Sequence, residues 1–110
     1  MIKIIRDEKE IKKYIKDISC TFQLYKSSIK FGILDKFENK AFKELIEHIK
    51  LNDDYKKDTL KGKILYENIL GDKTLTEIAG ENMYSVAHIY NLKNKILKEF
   101  AAITFEVILL

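Results

Sequence analysis

Within positions 85–95 the chain places Ser85, Val86, Ala87, His88, Tyr90, Asn91, Lys93, Asn94 and Lys95. These side chains are suited to recognition and not to bond breaking. A side-chain amide such as that of Asn91 can pair bidentately with adenine. The methyl groups of Val86 or Ala87 can meet a thymine methyl. Hydroxyl, imidazole and ammonium groups on Ser85, His88, Tyr90, Lys93 and Lys95 are phosphate donors, which position a protein without reading sequence. Asn94 shares the outward set with Asn91, and Thr76, slightly upstream, is a candidate contact to a nucleic-acid backbone. The plainer reading stands beside this one. Lys93, Lys95 and Lys98 are also what a solvated helix face looks like, and exposed asparagines are ordinary in an Asn-rich chain.

No arrangement for catalysis accompanies these groups. His48 and His88 fall in separate predicted helices without the spacing of a zinc-binding helix. No glycine loop for phosphate and no nucleophile elbow occurs. Glu44 and Glu47 sit at surface spacing. Cys20 is the single cysteine, so a disulfide within the chain or a cysteine-based zinc site is not expected. Cys20 itself reads as a small buried or half-buried residue. An enzyme is not expected, nor a catalytic residue, a metal or another cofactor.

The elements that must position residues 85–95 are legible in 74–100. Thr74 and Glu77 form a capping box, in which the Thr hydroxyl accepts an amide of the new helix and Glu77 returns to the cap. Ala79 is small enough for two helices to approach closely. Tyr84 is placed as an apolar plug in the turn, and Ser85 as the cap of the second helix. Ile89, Leu92 and Ile96 carry the spacing of a buried stripe. This order is that of a helix-turn-helix. Three positions depart from it. Met83 stands where a glycine with positive φ is usual, Asn82 where a buried Leu is more common, and Gly80 weakens the first helix of the pair by about 1 kcal/mol relative to Ala.

The rest of the chain reads as supporting helices. A long amphipathic helix is predicted over 7–30, with Ile11, Tyr14, Ile15, Ile18, Phe22, Tyr25 and Ile29 on one face, Asp7 as cap and Gly32 as break. A second is predicted over 35–50 and a third over 58–70, closed by Gly71 as a left-handed cap. The apolar residues 101–110 either lengthen the last helix or form an extended segment. With no proline and four glycines in 110 residues, the expectation is one compact all-α domain of five or six helices. Within it, 1–57 holds the N-terminal helices, 58–100 the helix-turn-helix region and 101–110 an apolar tail. The long first helix either packs on the core or protrudes as a dimerisation arm.

Charge tempers the nucleic-acid reading. The net charge is +3, mild for a nucleic-acid binder. Residues 1–50 hold 12 Lys+Arg against 8 Asp+Glu, a balance of +4, whereas 51–110 hold 8 against 9, a balance of −1. The half with the helix-turn-helix pattern is therefore not basic. The apolar tail is shorter than the ~20 residues of a membrane span, and no signal peptide is visible. A cytoplasmic protein without membrane contact is expected.

Residues 58–100 resemble region four of bacterial sigma factors, and more closely the phage-encoded regulators of the ArpU and RinA types. The resemblance rests on Ile64 to Ile69, Gly71, the Thr74–Ala79 run, the Tyr84-Ser85 pair, and Ile89, Tyr90, Leu92, Lys93, Ile96 and Leu97. It covers a little under half the chain. The resemblance implies a transcription regulator of phage or prophage type that binds double-stranded DNA with the second helix in the major groove. The second helix carries no Arg. The alternative expectation is a protein-interaction module on the same scaffold, for example one contacting RNA polymerase, as region four also does. A homodimer is a further expectation.

Overall fold

A computed structural model of the protein describes residues 2–110. Helix accounts for 72% of the described residues, so the all-α class fits, with one small strand pair that the sequence reading missed. The order is β1 (Lys3–Ile5), α1 (Glu8–Lys30), a 3-10 turn at Leu34–Lys36, α2 (Lys40–Leu51), a second 3-10 turn at Asp53–Tyr55, α3 (Leu60–Lys63), a π-helical continuation at Ile64–Ile69, α4 (Leu75–Glu81), α5 (Val86–Phe105) and β2 (Val107–Leu109).

Local chemistry starts these helices, at the expected residue for α1 and at caps the sequence reading did not name for α2 and α3. Asp7 caps α1 by accepting from Lys9 N at 2.7 Å. Asn39 caps α2 through Phe42 N, and Thr59 caps α3 through Gly62 N. Each side-chain oxygen satisfies an amide that the first helical turn leaves without a backbone partner. The second helix begins later than predicted, because the chain first makes the 3-10 turn at Leu34–Lys36. The third begins at Leu60 and widens from Ile64 onward, where Leu70 N bonds Leu65 O. A five-residue step brings Ile64 and Ile69 to one side, and both are buried with Leu65.

The long first helix does not protrude. It lies along α5, and α2 and α4 pack on α5 as well. α5 is thus the central rod. Ile89, Ile96, Leu97, Phe100 and Ala101 are buried along it. Around it Phe22, Phe42, Phe100 and Tyr55 form an aromatic cluster. Phe22 meets Phe42 edge-on at 4.9 Å between centroids, and Tyr55 lies 5.2 Å from Phe100, separations at which ring quadrupoles attract. Cys20, expected inside, is exposed; it follows Ile18 on α1 by two residues and so points off the buried stripe.

Gly71 departs from expectation too. Gly32 is the only glycine with positive φ, at 68°, so Gly71 is not a left-handed cap. A Cβ on Gly71 would stand 2.5 Å from Glu67 O. The glycine is there because the backbone folds back tightly on the end of the π-helical turn. The tail of 101–110 does both things left open by the sequence. α5 runs to Phe105, Glu106 turns the chain in a left-handed conformation (φ 55°, ψ 45°), and β2 follows. β2 pairs in parallel with β1, with Lys3, Ile4 and Ile5 opposite Val107, Ile108 and Leu109. Among the described residues no helix is long and apolar enough to cross a membrane.

Candidate nucleic-acid interface

α4 begins at Thr74, whose hydroxyl oxygen accepts from Glu77 N at 3.1 Å, and that hydroxyl also donates to Glu77 Oε1 at 3.2 Å. The capping pair is thus formed, with the carboxylate on the cap's side chain. Ile78 and Ala79 are buried against the core. α4 ends in two backbone bonds. Met83 N donates to Gly80 O at 3.4 Å and Tyr84 N to Ala79 O at 3.0 Å, the paired pattern of a Schellman cap. Met83 occupies the left-handed position, at φ 61°.

Asn82 finds a use for its amide. Its Nδ2 donates to Ile78 O at 2.8 Å, and its Oδ1 accepts from Lys63 Nζ at 3.0 Å. An apolar side chain there would leave that carbonyl and that ammonium without these bonds. Tyr84 is not a buried plug. It is 48% exposed, and its ring stacks on His88 at 4.9 Å between centroids and 21° between planes. The turn is closed by the backbone bonds, so it needs no aromatic inside it.

Ser85 caps α5 by accepting from His88 N at 3.1 Å. The first turns of α5 then stand clear of the core on one side. Of the candidate residues, Thr76, Ser85, Val86, Ala87, His88, Tyr90, Asn91 and Lys95 are exposed. Ala87, Asn91 and Lys95 repeat at four-residue intervals and form the outermost line, opposite the buried Ile89 and Ile96. Lys93 and Asn94 are half-buried and both leave this line toward α1, at different levels along it. Lys93 turns into a cleft with Lys26 of α1, and burial, then the charge of Lys26, holds its ammonium below the ordinary lysine range. Its place as a phosphate donor on the exposed face is therefore corrected. The sequence held the signal: Lys93 is adjacent to Leu92 and four positions from both Ile89 and Leu97, and hence flanks the buried stripe. Asn94 enters a groove beside α1.

That groove contains residues that sequence reasoning missed. Lys12 and Lys16 of α1 line it together with Tyr90, Asn94 and Lys98 of α5. Glu8 lines it as well, leaving the cations in excess. The positive balance of residues 1–50 is thus brought to the flank of a helix whose own half of the chain has none. No family model matches the chain, and neither a curated protein nor a solved structure matches it.

Proposed function

We propose that the protein is a sequence-specific regulator of transcription that binds double-stranded DNA. In this reading α4, the turn at 82–84 and α5 act as a sigma region-four-like helix-turn-helix of phage or prophage type, working in the cytoplasm. α5 enters the major groove by its N-terminal turns, as recognition helices do. The observation that carries the reading is the exposed line Ala87–Asn91–Lys95 on an otherwise core-bound helix, flanked by Lys12 and Lys16. Asn91 reads adenine, Val86 and Ala87 meet thymine methyls, and Thr76, Ser85, His88, Tyr90 and Lys95 meet the backbone. Selection from a random duplex library, followed by anisotropy titration of the enriched sequence, tests this. Failure to enrich any sequence removes the proposal.

A second reading has its own observation. Met83, Tyr84, Val86 and Tyr90 are all exposed large side chains at the same end of the molecule, and such a patch suits a protein partner. RNA polymerase is the partner this reading names. Capture of purified polymerase without any DNA binding selects it over the first. A homodimer through the exposed Leu24, Phe31 and Ile33 near the end of α1 is compatible with either reading. Light scattering that shows only monomer at high micromolar concentration removes it.

A further inference from the structure

A cleft of about 300 Å³ lies between α1, the segment 71–74 and α5. Lys26, Lys73 and Lys93 all line it. Lys73 is already neutralised, since its Nζ contacts Glu67 Oε1 at 2.6 Å and Glu81 Oε2 at 2.9 Å. Lys26 is anchored by donating to Gly71 O at 2.9 Å, with the fully exposed Asp72 carboxylate at 3.7 Å. Lys93 is different. Among the described residues it has neither a hydrogen bond nor an ion pair, although it is half-buried. Its charge faces that of Lys26 in a partly desolvated setting, where burial first and then that neighbouring charge disfavour the Lys93 ammonium. An anion between them would reverse the sign of that interaction. Ser19 and Gln23, two turns and one turn before Lys26 on α1, add neutral donors at the rim, and the apolar floor is made by Phe22 and Leu97.

We propose that this cleft binds a small oxyanion, a carboxylate or phosphate head, held by Lys26 and Lys93. The ligand touches α1 on one side and, on the other, α5 two residues beyond Asn91. It is therefore placed to bias how the two helices sit together. This inference does not rest on DNA binding, and its test uses the protein alone.

The test is calorimetric titration of the full chain with sodium phosphate, and separately with sodium acetate, in sodium chloride at matched ionic strength. Saturable one-to-one binding of at least one titrant is expected, and the one that saturates identifies the head group. Lys93→Met keeps the stem and removes the charge. It is expected to weaken binding by about tenfold or more, as loss of a charge-assisted hydrogen bond does. Lys13→Met, at an exposed lysine of α1 outside the cleft, is expected to bind as the parent does. Thermal melts accompany each variant, and Lys93→Met is expected to melt no lower than the parent, because it relieves a like-charge contact. Should Lys93→Met fail to fold, the parent titration and Lys13→Met decide the matter. Absence of saturable binding by the parent overturns the proposal. So does unchanged binding by folded Lys93→Met, or loss of binding by Lys13→Met.

Discussion

Tyr55 donates its phenolic hydrogen to Glu99 Oε2 at 2.7 Å, tying the 3-10 turn at Asp53–Tyr55 to the middle of the central helix. The other carboxylate oxygen of Glu99 faces His48 Nε2 at 3.7 Å, so α2 joins the same carboxylate. The ring of Tyr55 is buried, and a charged acceptor makes its hydrogen bond stronger than a neutral one. Tyr55→Phe is expected to lower stability by about 2 kcal/mol, read by urea denaturation at neutral pH.

The same bond sets an alkaline limit. Burial, then the hydrogen bond and the charge of Glu99, raises the Tyr55 phenol far above its ordinary range. In the unfolded chain that phenol ionises near pH ~10. Its contribution is therefore complete below about pH 10 and is lost as pH rises beyond it, because the unfolded state releases the proton first. The stability gap between the parent and Tyr55→Phe should narrow from pH 9 to 11. A constant gap across that range counts against the mechanism.

Two ends of helices use one cap with different residues. After α1, Gly32 N bonds Ile29 O and Ile33 N bonds Ser28 O, with Gly32 at positive φ. After α4 the same pair of bonds is made with Met83 in the glycine's place. A non-glycine residue there costs about 1–2 kcal/mol, partly offset by the extra freedom that glycine loses on folding. The Met83 side chain is 95% exposed and packs little in return. Met83→Gly should raise stability by about 1 kcal/mol, seen as a melting point higher by a few degrees. If the same change weakens capture of a protein partner while sparing DNA binding, the second functional reading gains.

Replacing glycine by alanine should have opposite signs at two helical sites. A Cβ on Gly62 would lie 1.7 Å from Lys56 O, a backbone atom, so Gly62→Ala must push the Asp53–Tyr55 region off α3. A loss of about 2 kcal/mol or more is expected, the scale of overpacking. A Cβ on Gly80 meets nothing within 4 Å, and Gly80→Ala should gain about 0.5–1 kcal/mol from helix propensity. Equal effects in denaturant titrations would contradict this account.

Substitutions at the proposed interface separate reading from positioning. Asn91→Ala should cost about 1–3 kcal/mol on the selected sequence and almost nothing on unrelated duplex. Lys12→Met and Lys16→Met should weaken both similarly and each reduce the salt slope by about one. A sequence-selective effect from either lysine would mean that the groove beside α1 is a reading surface.

What was legible in the sequence was what depends on neighbours a few residues away. Asp7, Thr74 and Ser85 cap their helices within three positions, and Met83 took the backbone conformation that its place in the turn demanded. The stripe of Ile89 and Ile96 was legible because helical period alone selects it. Tyr84 was misplaced because a turn closed by backbone bonds leaves no interior for a side chain. The alignment of Lys12 and Lys16 with Tyr90 depends on how α1 lies along α5, which no local pattern encodes. The strand pair escaped for a related reason: each strand has three residues, too few to show alternation, and each gains its hydrogen bonds from the far end of the chain.

That pairing has a consequence in time. Lys3–Ile5 can complete their ladder only when Val107–Leu109 exist. At ribosomal rates of about 5–20 residues per second, the interval is roughly 5–20 s. Throughout it Ile5 has no strand beside it, and α1, lacking its α5 partner, holds its apolar face open. Residues 107–109 thus complete what residues 3–5 begin, and folding of this unit waits on the later of its two strands.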